Sequence, residues 1–310
     1  MGPSQLFFET EQGFEVVGLR TSQAELRMVP ELGGRIIGLR SLRSGREWCW
    51  HQDRPDWLWG NQPGDDFGQS PQAGIDECVP TVGACTIKNR QIPDHGEVWY
   101  RSWKLDSRAL ERLELRAELQ LDTSPFTFSR SIEATQEGHF RFNYRLENTG
   151  SETEPFLWCF HPLFAPAPGD RLVLSSEIQS LRLNGGIGTP IEFGDVWAYP
   201  EPFPGIRLDD LEVPGMPGGC VKGFAGPLKI GQAAIANQDT GDRLELLWDA
   251  AQIPYFGLWL NRGFVGFHHI ALEPTSGAPD SLFDAIETWK QFAKLEPGFA
   301  TSWSLDIRIF

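Results

Sequence analysis

Leu113-Glu114-Leu115-Arg116-Ala117-Glu118-Leu119-Gln120-Leu121 alternates apolar and polar residues with a period of two. Successive side chains of an extended chain point to opposite faces, so this stretch reads as a strand with one face on a core and one in water. Phe140-Arg141-Phe142-Asn143-Tyr144-Arg145-Leu146 repeats the pattern. One-sided strands of this kind belong to antiparallel sheets. Residues 14–19, Ala24–Val29, 35–39, Arg243–Trp248 and 302–310 are further short apolar or alternating runs. Gly33-Gly34, Ser44-Gly45, Asn148-Thr149-Gly150 and Pro297-Gly298 supply turns between such runs. The 33 glycines and 23 prolines among 310 residues exceed the ordinary share and favour many turns over long helices. Only residues 281–295 show helical spacing, through Leu282, Ile286 and Trp289, with Asp280 as the expected cap. The Pro/Gly-rich stretch 199–219 reads as a long surface loop, because strands resume after it without a change of composition. The expectation is an all-β chain: one large antiparallel β-sandwich domain spanning residues 1–310.

Composition narrows the function classes. Hydrophobic residues make up 40% and charged residues 22%, as in a soluble globular protein with a sizeable core. The net charge of −15 repels phosphate backbones, which argues against a nucleic-acid partner. The start of the sequence has no basic segment followed by an apolar stretch, so no secretory signal is read there. Met1-Gly2 resembles a myristoylation start, but Leu6 stands where Ser or Thr is required. No apolar run approaches the ~18–20 residues that span a bilayer, so no membrane partner is expected. The five cysteines, at 49, 78, 85, 159 and 220, are odd in number and form no CxxC pair. Free thiols in a reducing compartment, hence a cytoplasmic location, are the expectation.

Three separated fragments carry the chemistry: Pro93-Asp94-His95-Gly96-Glu97-Val98-Trp99, Cys159-Phe160-His161-Pro162-Leu163-Phe164 and His268-His269-Ile270-Ala271-Leu272-Glu273-Pro274. They supply histidines and a carboxylate, enough to take a proton from one oxygen and give one to another. Glu273 follows the apolar run 264–272, and Pro274 reads as the end of that strand. His268 and His269 are adjacent on it and therefore face opposite ways, with His269 on the side of Ala271 and Glu273. His51 and His139 have no supporting context and read as surface residues. A metal set of His95, His161, His269 and Glu273 is an alternative, but no HxH or HExxH spacing supports it. Twelve tryptophans against four tyrosines suit a sugar ligand, whose C–H faces pack on aromatic rings. Trp99 and Trp259 lie nearest the fragments, and the other tryptophans read mostly as core.

The order and flanks of these fragments resemble the aldose 1-epimerase (galactose mutarotase-like) superfamily, over nearly the whole chain. Pro30-Glu31-Leu32-Gly33-Gly34-Arg35-Ile36 and Gly45-Arg46-Glu47-Trp48 resemble its opening hairpin. Residues 74–83 with 94–99 resemble the segment bearing the first family histidine. Residues 148–150 with 158–162 resemble the segment of the second, and Ala271-Leu272-Glu273-Pro274 that of the catalytic glutamate. The resemblance implies the family's β-supersandwich and interconversion of the α and β anomers of an aldose. It implies Glu273 as base, His161 as acid, and His95 as a holder of sugar hydroxyls.

The reaction calls for the same two kinds of group. Opening a pyranose needs a base for the O1 hydroxyl proton and an acid for the ring oxygen. A carboxylate and an imidazolium suit this near neutral pH, and neither metal nor organic cofactor is required. Relatives that act on hexose 6-phosphates tend to carry an arginine where Gln72 stands here, and another after the His-Gly pair, where Glu97-Val98-Trp99 follows. A neutral sugar is therefore expected, with Gln72 lining the site and Asp76 and Glu77 accepting from vicinal hydroxyls. Two other readings stand beside the enzyme: a non-catalytic carbohydrate-binding or sensor protein on the same scaffold, and a metal-dependent sugar isomerase or lyase.

Overall fold

A computed structural model describes residues 4–187, 191–211 and 219–310. Two antiparallel sheets dominate these residues. The larger has eleven strands and the smaller seven. The middle of the large sheet carries five strands side by side, in the order Ile75–Cys78, Cys159–Pro162, His268–Thr275, Tyr255–Arg262, Gly219–Ala225. Gln5–Glu11, Phe14–Arg20, Ala24–Val29 and Arg35–Ser41 extend it on one side, and Ser180–Ile187 and Val196–Ala198 on the other. The small sheet runs Asp170–Leu174, Gly231–Asn237, Arg243–Trp248, Ala300–Ile309, His139–Asn148, Phe126–Gln136, Glu114–Gln120. Strand order is not sequence order, so distant parts of the chain meet at the centre of each sheet.

The alternating stretches behave as their sequence dictates. In Glu114–Gln120, Leu115, Ala117 and Leu119 are buried while Arg116, Glu118 and Gln120 are exposed. Phe140, Phe142, Tyr144 and Leu146 form the inner face of His139–Asn148. One apolar cluster joins these side chains to Phe160, Leu258, Leu260, Ile270 and Leu272 of the large sheet. The inner faces of both sheets thus share a core, as in a β-sandwich.

Several details depart from the sequence reading. The helix expected over 281–295 is a single turn, Leu282–Asp284, followed by a wider turn over Ala285–Trp289. Lys290 ends it in a left-handed conformation, and Ala293–Leu295 pairs as a strand with Glu154–Phe156. Ser281, not Asp280, caps the turn, its hydroxyl accepting from the Asp284 N–H at 3.3 Å. Strand pairing and the burial of Leu282, Ala285 and Trp289 override the weak helical spacing. The strand bearing Glu273 begins only at His268, because Phe264–Gly266 is a tight turn, and it runs past Pro274 to Thr275. His139 is buried rather than exposed, with Nε2 3.0 Å from Asp306. His51 is exposed, its ring stacked on Trp57. Within the expected surface loop 199–219, Leu208 and Leu211 are buried, and residues 212–218 lie outside the described residues, as do Met1 and Gly2. Among the described residues no helix is long and apolar enough to cross a membrane. All five cysteines are free thiols.

Candidate active site

Register brings the chemistry onto one face of the large sheet. His161 lies opposite Asp76, and Cys159 opposite Cys78. On the next strand Glu273 lies opposite Gly257, Ala271 opposite Trp259, and His269 opposite Asn261. Lys222 lies opposite Trp259 one strand further on. With a period of two, all these side chains leave the same face of the sheet. Glycine at 257 is required by the carboxylate across from it: a Cβ there would stand 2.7 Å from Glu273 Oε2.

His95 arrives from a turn above this face. Its backbone is left-handed (φ 57°), as is that of Gly96 (φ 72°). The turn is fastened by His95 N–H to Val82 C=O at 2.7 Å and Glu97 N–H to Val79 C=O at 2.8 Å. A Cβ on Gly96 would lie 2.1 Å from the Val79 carbonyl oxygen. Gly96→Ala is therefore expected to cost about 1–3 kcal/mol of stability and to displace His95, read as a lowered denaturation midpoint together with weakened ligand binding. Glu97 serves the turn rather than the pocket, accepting from the N–H groups of Thr123 (2.6 Å) and Ser124 (3.0 Å).

Aromatic rings pack these imidazoles. Phe67 stacks flat on His95, with centroids 4.1 Å apart, and presents an edge geometry to His161 at 5.0 Å. His95 and His161 meet at 4.7 Å and 83°. Asp94 accepts from the Phe67 N–H at 2.9 Å and stands 3.3 Å from His95 Nδ1. That second contact is electrostatic, without hydrogen-bond alignment. Burial works against the Asp94 charge, yet His95 and the Phe67 N–H hold its carboxyl below the usual range.

Glu273 is fully buried. Its Oε1 lies 3.5 Å from His161 Nε2 and 3.1 Å from Lys222 Nζ, and its Oε2 lies 2.8 Å from the same ammonium. Cys159 Sγ is 3.7 Å from Oε2. Lys222 is also held at 2.8 Å by Asp280, whose other oxygen accepts from Asn184 at 2.8 Å. Burial raises the Glu273 pKa, the Lys222 charge lowers it, and Asp280 raises it again, leaving the net direction upward. Burial first, then His95, Lys222 and His269, drives His161 well below 6.5. Its surroundings therefore disfavour the imidazolium in the unliganded site. Burial takes His269 down to about 3. Asn261 fixes the tautomer of His269: its oxygen accepts the Phe264 N–H, so its amide nitrogen, 3.4 Å away, donates to Nε2.

The other expected site residues fall as follows. Asp76 shares the face of His161 and is paired with Arg35 Nε at 2.8 Å. Glu77 is a correction: as the neighbour of Asp76 it points the other way, into the sandwich core, and cannot reach a sugar. There it meets Arg130 (3.3 Å), Tyr144 (2.8 Å) and Trp158 (2.9 Å). Gln72 is buried, its amide nitrogen 3.4 Å from the Phe67 carbonyl. Trp99 packs 5.1 Å from His95, and Trp259 bridges His161 (5.9 Å) and His269 (4.8 Å). His268 is exposed and faces away, while His269 is buried beside Trp50. Lys222, Phe67, Asn261 and Arg35 were not singled out from sequence. None stands in the fragments that supply the histidines and the carboxylate. The alternation of Cys220, Lys222 and Phe224 in a short apolar strand was the one local sign of Lys222. Among the described residues no group of three His, Cys, Asp or Glu side chains has metal-holding geometry.

Polar atoms around the pocket are left open. Both ring nitrogens of His95, Nδ1 of His161 and of His269, Oε1 of Gln72 and Nε1 of Trp99 are buried without hydrogen-bond partners. Buried polar groups are nearly always partnered, so these atoms are free to bond water or a ligand. A groove of about 1060 Å³ is lined by Asp94 with Asp66, Tyr100 and Asp122, and neither His161 nor Glu273 lines it.

Together these observations define an all-β sandwich with a buried cluster of imidazoles, a carboxylate and an ammonium on one face of its larger sheet. The fold is the galactose mutarotase-like one, as comparison with solved structures shows. An Escherichia coli protein provisionally assigned as an aldose 1-epimerase superposes with a TM-score of 0.66 at 18% identity, covering 99% of each chain. A galactose mutarotase-like protein from Lactobacillus casei gives 0.64 at 18% identity, covering 95% of this chain and 100% of its own. Another from Clostridium acetobutylicum gives 0.65 at 14% identity, covering 99% and 98%. No protein-family model matches the sequence, and no curated protein matches it significantly.

Proposed function

We propose that this chain is an aldose 1-epimerase-type isomerase acting on a neutral sugar or sugar derivative. The observation that carries the proposal is the meeting of Glu273 and His161 at 3.5 Å, beside His95. Glu273 takes the proton of the O1 hydroxyl, and His161 gives one to the ring oxygen. The C1–O5 bond breaks, the aldehyde turns about C1–C2, and the ring closes on its other face with both protons returned. His95, Gln72 and Asp76 hold hydroxyls, and Trp99 and Trp259 wall the sugar. A neutral substrate fits because the nearby cations are engaged, Lys222 by two carboxylates and Arg35 by Asp76.

Exchange spectroscopy by NMR on a panel of aldoses tests this proposal. Acceleration of α/β exchange is expected for at least one neutral aldose. Tight binding without acceleration would sink the enzyme in favour of a sensor, and loss of activity with chelator, restored by a divalent ion, would favour metal chemistry.

The pKa directions also set the pH dependence. The acid must be protonated, and burial has moved His161 below 6.5. The base must be ionised, and burial has moved Glu273 above 4.5. The pair is active when it carries one proton, and both of its groups are displaced from their ordinary values. kcat/KM is expected to be bell-shaped, rising as the first proton leaves the pair and falling as the second does. A profile with no alkaline fall would contradict the assignment.

A further inference from the structure

Lys222 belongs to none of the fragments that supply the histidines and the carboxylate, yet it makes the closest polar contacts to Glu273. Its side chain is 12% exposed and its Nζ bridges two carboxylates, 2.8 Å from Glu273 Oε2 and 2.8 Å from Asp280 Oδ1. Asp280 is itself fixed, by Asn184 at its side chain and by the N–H groups of Val82 and Gly83 at its carbonyl. The ammonium is therefore held in place before any ligand arrives.

We propose that Lys222 is the positioning residue of this site: gripped by Asp280, its ammonium keeps Glu273 ionised and aims it as the proton acceptor. This rests on Glu273 being the base of the reaction proposed above.

Every group facing Glu273 bears on the argument. His161 and Cys159 face it from Cys159–Pro162, Cys78 from Ile75–Cys78, His95 from its turn, Asp280 from the turn beyond. Burial pushes both thiols up and His161 down, in each case away from the charged form. Of the groups facing the carboxylate, Lys222 alone contacts both of its oxygens. A carboxyl buried this deeply holds its proton unless an opposite charge stands against it. The two carboxylates in turn hold Lys222 as an ammonium without a lone pair, so it serves as a fixed charge and not as an amine nucleophile. An oxygen pinned at about 3 Å also keeps the carboxylate from turning away from an incoming O1 hydroxyl.

The test reads the ionisation of Glu273 directly. Infrared difference spectra of its carboxyl band are recorded against pH, with Glu273→Gln as the blank. Lys222→Met is expected to raise the Glu273 midpoint by at least about one pH unit, tenfold in its ionisation equilibrium. Asp280→Asn removes a like charge and is expected to lower it. Lys222→Arg keeps the charge and is expected to stay near wild type. Opposite shifts in Lys222→Met and Asp280→Asn are not produced by general loosening of the fold. If Lys222→Met fails to fold, the Asp280→Asn shift and the Lys222→Arg match still decide the matter. A Lys222→Met midpoint equal to wild type, or an Asp280→Asn midpoint moved upward, would overturn the proposal. Where wild-type protein accelerates anomer exchange, Lys222→Met should also lower kcat at least about tenfold near neutral pH, with little change in KM. Wild type that exchanges no sugar would defeat the proposed reaction, while the titration would still report on Lys222.

Discussion

Glu273→Gln is expected to lower anomer exchange by roughly 10²–10⁴-fold while changing sugar affinity less than about tenfold. The amide keeps the size of the side chain and one acceptor oxygen, but it cannot take the O1 proton. The substitution also removes a negative charge from beside Lys222, 2.8 Å away, leaving Asp280 as the partner of that ammonium. Folding should survive, because Asp280 compensates the charge. His161→Asn should likewise lower kcat more than it raises KM, since protonation of the ring oxygen matters chiefly in the transition state. Exchange rates and binding isotherms on the same sugar separate the two effects. Near wild-type exchange in Glu273→Gln would remove the base from the mechanism.

The largest effect on stability is expected one residue from the site, at Glu77. Its carboxylate is fully buried between the sheets and receives Arg130, Tyr144 and Trp158. Burial pushes its pKa up to about 7, against the pull of Arg130. Arg130 is equally buried, donating to the Gly34 carbonyl at 2.6 Å with its guanidinium over the Trp103 ring. Glu77→Ala strands that guanidinium without its counter-charge and should cost about 3–5 kcal/mol. Glu77→Gln keeps an acceptor for Tyr144 and should cost less. Denaturant midpoints of the two variants measure the difference, and a loss under about 1 kcal/mol in Glu77→Ala would show that Arg130 finds water or another partner.

Asp76 and Glu77 also show how much of the site was legible. Both were expected to bind hydroxyls, but adjacent residues of a strand point to opposite faces. That rule, applied to His268 and His269, puts them on opposite faces, and in the structure the first is exposed and the second buried. Applied to residues 76 and 77, it shows that at most one of them could face the pocket. Phe67 had no such signal. It lies in a short turn over Phe67–Gln69, and contacts with distant residues, Asp94 at its N–H and Trp99 and Trp259 at its ring, place it on His95.

The sequence by itself determined the alternating strands and their faces. Period-two alternation at 113–121 and 140–146 fixes strands and their buried sides, because burying a strand's apolar face leaves one choice of side for every residue. The same rule placed His269, Ala271 and Glu273 together. Tertiary structure alone decided what those faces meet. Strand order brought Lys222 beside Glu273, 51 residues distant in sequence, and a tight turn at Asp280 supplied the second carboxylate. It also decided charge. An imidazole near a carboxylate reads in sequence as a ready acid, whereas full burial beside other imidazoles and an ammonium pushes the His161 pKa down. Local pattern is set by the chain's own periodicity. Charge state depends on how much water and which opposite charges remain after distant segments have packed, and no local stretch of sequence encodes that.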